Sequence, residues 1–215
     1  MFRKTLYIFC VVLCCCGLSA CGQKKQAPSV LDSAGFYQID PRLITPVANA
    51  RFTLVEFFDY RCEACAAAYP NIKQFQAVDP QVQVIYRELP FLGPASEFAA
   101  RAAIASALQG KYAAMHDALM TAGPSLNEDM VLSIAKELNL NMTTLSEDMQ
   151  SPFVNRQLFE NSLLASKIDL QSTPMYLFAR TSLQKDHNLQ VEKALVMLGV
   201  QTSQQLKDKV IELNA

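Results

Sequence analysis

The polar and apolar residues of this chain switch between the two-residue period of strands and the longer period of helices. Residues 51–60, "RFTLVEFFDY", are rich in β-branched and aromatic residues and predict a buried strand. From Glu63 apolar residues recur at helical spacing and predict a helix, which Pro70 is expected to kink. Residues 81–89 alternate between polar and apolar and predict a second strand. This order predicts a βαβ unit with parallel strands.

Helical patterns fill the middle of the chain, from about residue 95 to about residue 168. The first of these helices follows Pro94, and capping signatures that begin at Ser125 and Thr144 predict two further helix starts. Pro152 opens a last helix that runs to about Lys167. The inward stripe of the first helix is expected to comprise Phe98, Ala102, Ala105 and Leu108.

Strand character returns near the C-terminus. Residues 174–180 and 193–200 are apolar and rich in strand-forming residues, and residues 202–213 have the pattern of an amphipathic helix. The whole order is strand, helix, strand, helical block, two strands and a helix. It predicts an α/β domain over residues 51–215 that is split by a helical insertion at about 95–168.

The N-terminus has the layout of an export signal. Arg3 and Lys4 precede an apolar run that is too short for a comfortable membrane span, and small residues follow it. The run ends in Leu18-Ser19-Ala20-Cys21, which resembles the lipobox of bacterial lipoproteins. We therefore expect a lipoprotein signal peptide at 1–20 and a lipid-anchored linker and N-terminal extension at 21–50. An ordinary secretory signal with a chance cysteine is the alternative.

If the export signal is removed, few of the seven cysteines remain as thiols in the mature protein. Four of them lie in the apolar segment that would be removed: Cys10, Cys14, Cys15 and Cys16. Cys21 would carry the lipid, which leaves Cys62 and Cys65 as thiols in a compartment where disulfides persist. The formal net charge is -1, so nothing in the composition favours electrostatic binding of nucleic acid.

Cys62 and Cys65 lie three residues apart at the start of a predicted helix. A structural disulfide between them would close a very short loop, so it would constrain the unfolded chain little and stabilise the fold little. A structural zinc site needs four ligands, and the other soft donors are His116 and His187. We expect His116 at a helix surface or cap and His187 solvated in a charged loop. Thiol–disulfide exchange needs an attacking thiolate and a resolving thiol, which predicts Cys62 as the nucleophile and Cys65 as its partner.

The residues around this pair resemble a known family. The stretch "VEFFDYRCEAC", the later "YRELPFLGPASEFAARAA" and Ser172-Thr173-Pro174 are similar to the DsbA-like thiol:disulfide oxidoreductases of the thioredoxin superfamily, here in a bacterial lipoprotein form. The resemblance extends from about Phe52 to the C-terminus. It implies a thioredoxin fold with an inserted helical domain, and a redox-active disulfide that works without a cofactor or metal.

The resemblance also implies roles for individual residues. Pro174 should be a cis proline that faces the cysteines, and Thr173 should present backbone groups to a substrate. Glu56 matches a buried acid beneath the active site, with a raised pKa that lets it relay the proton of Cys65. A solvated acid at the end of a strand is the alternative for Glu56. Ser172 departs from the glycine that many relatives carry.

Glu63 and Ala64 separate the two cysteines, where strongly oxidising relatives carry Pro-His. The missing histidine and the added negative charge should raise the pKa of the Cys62 thiol relative to those proteins. A higher thiol pKa favours the disulfide, so we expect a weaker oxidant.

The sequence thus predicts an exported oxidoreductase that introduces disulfides into cysteine-containing proteins. The implied partners are those substrates, a membrane protein that reoxidises the enzyme (DsbB-like or similar) and the membrane itself through the lipid. We expect a monomer that faces the periplasm, and Gly22 and Gln23 after the lipid-bearing cysteine resemble outer-membrane lipoproteins. A disulfide isomerase or reductase of the same fold, favoured slightly by Thr173, and a copper-binding lipoprotein are the alternatives.

Overall fold

The computed structural model describes residues 34–183 and 189–215. Within these residues the chain forms four β-strands and seven α-helices. The strands are β1 (Phe52–Phe58), β2 (Val82–Glu88), β3 (Met175–Leu183) and β4 (Leu189–Leu198). The helices are α1 (Glu63–Val78), α2 (Pro94–Ser106), α3 (Tyr112–Ala122), α4 (Glu128–Glu137), α5 (Met142–Asp148), α6 (Pro152–Lys167) and α7 (Ser203–Asn214). The predicted order of elements is therefore present.

The four strands form one mixed sheet in the order β2-β1-β3-β4. Strands β1 and β2 are parallel, so the predicted βαβ unit is present, whereas β3 runs antiparallel to both β1 and β4. All seven residues of β1 are buried, because this strand is central in the sheet and both of its faces are covered. The active-site turn follows directly from its C-terminal end.

The two faces of the sheet are covered by different elements. On one face, apolar side chains of α1 and α7, such as Phe75 and Leu206, pack against Leu54 and Phe178. The other face packs against α6 and the segment before β1 through a cluster that includes Phe36. Helices α2 to α5, inserted between the two strand pairs, enclose a core of their own that reaches the sheet. The predicted α/β class, a thioredoxin fold with an inserted helical domain, is confirmed.

Two predicted helix caps are displaced by two to three residues. Helix α4 is capped by Asn127, whose side chain accepts a hydrogen bond from Met130 N, and α5 is capped by Asn141. Ser125 lies in a short 3-10 turn before α4, and Thr144 lies inside α5. In both cases an asparagine, which caps as well as serine or threonine, lies closer to the first helical residue. The inward stripe expected for α2 is also too long at its C-terminal end. Leu108 lies beyond the end of α2 and is 36% exposed.

The chain before β1 is packed onto the domain from Phe36 onwards, although residues 21–50 are expected to be a linker and N-terminal extension. Phe36 and Leu43 are fully buried. The buried guanidinium of Arg87 donates hydrogen bonds to the backbone carbonyls of Phe36 and Gln38 and to Asn161 Oδ1. This arginine thereby fixes the N-terminal segment to β2 and α6.

The expected signal peptide at 1–20, the lipid site at Cys21 and the predicted loop residue His187 all lie outside the described residues. In the part of the chain that is described, no helix has both the length and the apolar character needed to cross a lipid bilayer.

The displaced cap of α4 yields a test by substitution. Asn127→Ala removes the side-chain acceptor at 2.9 Å from Met130 N, so it should lower the free energy of unfolding by about 1 kcal/mol. Ser125→Ala is the matched control and should change it by less than about 0.5 kcal/mol. Urea unfolding followed by circular dichroism measures both. Equal losses in the two variants would mean that Asn127 is not the cap.

Candidate active site

The active-site turn joins β1 to α1 and is held by Asp59. This buried carboxylate accepts a hydrogen bond from Arg61 N at 2.8 Å through Oδ1 and another from Leu92 N at 3.0 Å through Oδ2. Cys62 N donates to the Asp59 carbonyl at 3.0 Å. The turn is therefore fixed both to the strand it leaves and to the loop that follows β2.

Cys62 is the N-cap residue of α1. Its sulfur accepts a hydrogen bond from Cys65 N at 3.3 Å, where a serine or asparagine oxygen would usually cap a helix. The unpaired amides and the positive end of a 16-residue helix stabilise negative charge at this position. Both cysteines are free thiols; Cys62 retains 9% exposure, whereas Cys65 has none. Of the two cysteines, only Cys62 can be reached from the surface.

The two thiols have opposite acidity. Hydrogen bonding from the Cys65 side chain, helped by the backbone amides of Cys65 and Ala64, lowers the pKa of Cys62 to about 6 although burial opposes the shift. The bond with Cys62 and burial raise the pKa of Cys65 far above its usual value. At neutral pH Cys62 is therefore the thiolate and Cys65 keeps its proton. The Cys62 value lies above the ~3.5 known for DsbA and near the ~7 of thioredoxin.

The loop before β3 brings Thr173 and Pro174 to the cysteines. The Thr173–Pro174 peptide bond is cis, and Cys62 Sγ lies 3.6 Å from the Thr173 carbonyl oxygen, to which it donates a hydrogen bond when it is protonated. The Pro174 carbonyl accepts from Gly199 N at 2.9 Å, which ties this loop to the end of β4. The structure thus brings the Cys62–Cys65 pair together with Thr173-Pro174, although Thr173 lies 111 residues from Cys62 in the sequence.

Glu56 lies on β1 beneath the cysteines and is fully buried, so the alternative of a solvated acid at the strand end is wrong. Its Oε1 accepts a hydrogen bond from the Tyr176 hydroxyl at 3.3 Å, and its Oε2 has no partner among the described residues. Burial raises the pKa of Glu56 to about 8, and the negative charge of Cys62 adds to the rise. Glu56 therefore holds a proton at neutral pH.

His116 is buried, in contrast to the expected surface or cap position. Its ring is surrounded by those of Phe58, Tyr60, Tyr69, Tyr86 and Tyr112. Burial lowers the pKa of His116 to about 3, so the imidazole is neutral. The helical periodicity of α3 did not reveal this environment, because the buried face is formed by aromatic residues from β1, α1 and β2.

Sequence reasoning did not identify Asp59 or Tyr176 as site residues. Asp59 had a usable signal. An aspartate that directly follows a strand often accepts a hydrogen bond from the backbone amide two residues later and so stabilises a turn. Tyr176 had none, because its contact with Glu56 depends on the antiparallel register of β1 and β3, in which the two residues are directly paired.

Within residues 34–183 and 189–215 no three histidine, cysteine or acidic side chains are grouped so that they could hold a metal ion. His116 is one of the two candidate soft donors besides the cysteines. It is enclosed by aromatic rings, and its Nδ1 forms a hydrogen bond with the Tyr60 hydroxyl at 3.0 Å.

A helix-capping cysteine beside a cis proline, on a sheet with an inserted helical domain, defines a thioredoxin-fold redox protein. The particular family is given by comparison: residues 53–210 match the DSBA-like thioredoxin domain, so the chain belongs to this family of thiol–disulfide oxidoreductases. The family uses a pair of redox-active cysteines and needs no cofactor.

Solved structures agree with this assignment. A thioredoxin-like oxidoreductase from Silicibacter pomeroyi is 35% identical with a TM-score of 0.71, over 83% of this chain and 95% of that one. The thiol-disulfide exchange protein alpha-DsbA2 from Wolbachia pipientis is 25% identical with a TM-score of 0.63, over 77% of this chain and 83% of that one.

Among curated sequences, the Na(+)/H(+) antiporter NhaA 3 of Salinispora tropica is 26% identical over 151 residues, which are 69% of this chain and 23% of the antiporter. The probable disulfide bond formation protein D of Bacillus cereus is 26% identical over 59% of this chain and 64% of that protein. The chain thus spans less than two thirds of the length of these curated relatives.

The acidity of Cys62 predicts how the reduced protein reacts with iodoacetamide. The alkylation rate should follow the thiolate fraction and rise with a midpoint near pH 6, the pKa of Cys62, rather than near the value of 9.0 of an ordinary thiol. Mass spectrometry against time at a series of pH values measures it. The Cys62→Ser protein should remain unlabelled while folded, because Cys65 is buried. A midpoint above about 8, the range of an unperturbed thiol, would contradict the capped geometry.

The buried Glu56 predicts a pH-dependent stability difference. Its pKa is about 8 in the folded protein against 4.5 for an ordinary glutamate carboxyl, so between these values the folded state binds more protons. Its contribution to stability is complete below pH 4.5 and is lost as the pH rises towards 8. Glu56→Gln removes this loss, so the variant should gain on the wild type with rising pH, at up to ~1.4 kcal/mol per pH unit. Urea unfolding of both reduced proteins measures the difference. A flat difference would mean that Glu56 is ionised at neutral pH.

Proposed function

We propose that this domain oxidises pairs of thiols in exported proteins to disulfides, with Cys62–Cys65 as the redox couple. The observation that carries the proposal is the asymmetry of the pair: Cys62 is the acidic, accessible helix cap, and Cys65 is fully buried with a raised pKa. A site of this kind has one sulfur that exchanges with substrates and one buried sulfur that leaves when a substrate attacks the disulfide.

The reaction begins with the disulfide form of the enzyme. A substrate thiolate attacks Cys62 Sγ, the Cys62–Cys65 bond breaks, and a mixed disulfide between substrate and Cys62 forms. A second substrate thiolate then attacks the substrate sulfur of this bond, and Cys62 leaves as a thiolate. The substrate loses two electrons and the enzyme gains them. The low pKa of Cys62 makes it a good leaving group in the second step.

Glu56 supplies the proton in the first step. Cys65 leaves the broken disulfide as a thiolate in a buried site, where a charge is costly. Glu56, protonated at neutral pH because of its pKa of about 8, is the acid beneath it. Transfer of this proton leaves a Cys65 thiol and a Glu56 carboxylate, so the total charge of the buried pair does not change.

Thr173 and the surrounding surface support a polypeptide substrate. The Thr173 carbonyl faces Cys62, and two segments bonded to the site carry exposed apolar side chains: Phe91 and Leu92 after β2, and Leu198 at the end of β4, next to the Gly199 that bonds to Pro174. Leu92 is held next to the turn by its bond to Asp59. Apolar side chains of an unfolded substrate can pack against these residues. A folded protein seldom exposes enough apolar side chains to make such contacts.

We place this activity in a monomer outside the cytoplasm, lipidated at Cys21, facing the periplasm and attached to either the inner or the outer bacterial membrane. A membrane protein (DsbB-like or similar) reoxidises it. The main support is the lipobox-like Leu18-Ser19-Ala20-Cys21 and the persistence of disulfides in exported compartments.

The reduction potential of Cys62–Cys65 tests the proposed direction. The pKa of Cys62, about 6, lies between those of DsbA and thioredoxin, so the potential should fall between ~-120 mV and ~-270 mV. Equilibration with glutathione of a soluble form that begins at Gly22 measures it, with Cys62→Ser as the redox-inactive control. A value near the DsbA limit would overturn the weakening effect inferred for Glu63 and Ala64.

A potential near the thioredoxin limit would instead favour a reductase, and a stable dimer of the same soluble form would favour an isomerase. Copper retained in equimolar amount by the reduced protein, and lost in Cys62→Ser, would favour the metal-binding alternative.

A further inference from the structure

A small cavity, here called the side cavity, lies between α1, α3 and the segment before β1. Its lining includes Thr45, Lys73, Tyr86, Ala113, His116 and Asp117, and neither cysteine is among the lining residues. Lys73 and Asp117 at its rim are about half exposed. Its volume of about 60 Å³ is several times the ~10–15 Å³ that one water molecule needs. The cavity therefore gives water an entry that does not pass Cys62.

Tyr86 and His116 line this cavity as a stacked pair, with ring centroids 3.9 Å apart. His116 Nδ1 is paired with the Tyr60 hydroxyl. By contrast, Tyr86 Oη and His116 Nε2 are both buried and have no hydrogen-bond partner in the part of the chain that the structure describes. Buried polar atoms without partners are costly, and water in a polar cavity is the usual way to satisfy them.

Tyr86 also adjoins Glu56. The two residues are direct partners in the parallel register of β1 and β2, so their side chains project from the same face of the sheet. Glu56 Oε1 is bonded to Tyr176, but Oε2 is unpartnered among the described residues. Three unpartnered polar atoms thus lie on adjoining side chains, from Glu56 through Tyr86 to His116 at the cavity.

The charge change at Glu56 requires such a route. Once Glu56 has given its proton to Cys65, the carboxylate is buried and must recover a proton from solvent. Towards the active site the way is blocked by Cys65, which has no exposed surface. A tyrosine hydroxyl can both accept and donate a proton, as a relay needs.

We propose that the side cavity is the path by which solvent protons reach Glu56, with Tyr86 and His116 as its polar inner wall. Each time a substrate reduces the Cys62–Cys65 disulfide, the Glu56 carboxylate takes one proton from solvent, passed by cavity water and the Tyr86 hydroxyl, to replace the one given to Cys65; one proton returns to solvent when the disulfide forms again. The role in turnover rests on the proposed oxidase function, whereas the path itself does not.

Infrared spectroscopy can follow this exchange at Glu56 without any substrate. At pH 6 Glu56 is protonated, because its pKa is about 8, and transfer into D2O shifts the C=O band of its carboxyl group. The band is assigned as the one missing in Glu56→Gln. Tyr86→Phe removes the relay hydroxyl, and Ala113→Leu fills the cavity without touching a polar group. Each should slow the exchange at least about tenfold, the effect of losing one hydrogen-bonded step.

Three controls make the result specific. Ala113→Ser keeps the cavity open, and Tyr112→Phe removes a neighbouring buried hydroxyl that instead donates to Glu88 at 2.7 Å; both should exchange as the wild type does. The carboxyl band of Glu88, assigned through Glu88→Gln, should keep its rate in Tyr86→Phe. Alkylation of Cys62, which covers the active-site side, should leave the Glu56 rate unchanged.

Wild-type exchange in folded Ala113→Leu would overturn the proposal, as would slower exchange after alkylation of Cys62. If Tyr86→Phe does not fold, Ala113→Leu decides the question alone. The same substitutions in a Cys62→Ser protein separate this path from the proposed function. If adding Ala113→Leu to Cys62→Ser slows the exchange at Glu56, the path is supported even if the protein proves not to be an oxidase.

Discussion

The arrangement of the sheet and its covering helices follows from the burial of β1. A strand whose seven residues are all buried needs neighbours on both edges and cover on both faces. Strands β2 and β3 supply the edges, α1 and α7 cover one face, and α6 with the N-terminal segment covers the other. Because β1 is paired on both edges and the turn that leaves it is held by Asp59, the position of Cys62 relative to the sheet is defined.

The same burial sets the chemistry of the site. Cys62 lies at the helix N-terminus, where hydrogen bonds favour the thiolate, while Glu56 lies one layer below, where the absence of water favours the neutral acid. The two groups thus differ in charge at neutral pH although both are acids. The buried Cys65 lies between these two environments, and its raised pKa keeps it protonated at neutral pH.

Much of the fold could be predicted from the sequence, because periodicity reports which faces are buried. The order of strands and helices, the helix start at Glu63 and the cysteine pair all follow from local patterns. Helix starts were misplaced where two nearby residues are both of a type that caps helices. Before α4 these residues are Ser125 and Asn127, and the structure has Asn127 as the cap. His116 was misplaced for a different reason: its burial comes from rings on three other elements.

The sequence alone determined which residues can carry redox chemistry, because the spacing of Cys62 and Cys65 and the start of a helix are local properties. Only the tertiary structure decided which groups adjust that chemistry. Thr173 lies 111 residues from Cys62 and Tyr176 lies 120 residues from Glu56, and their contacts exist only because the antiparallel pairing of β1 and β3 brings them together. Acidity depends on such neighbours and on the exclusion of water, and both are properties of the packed molecule rather than of the local sequence.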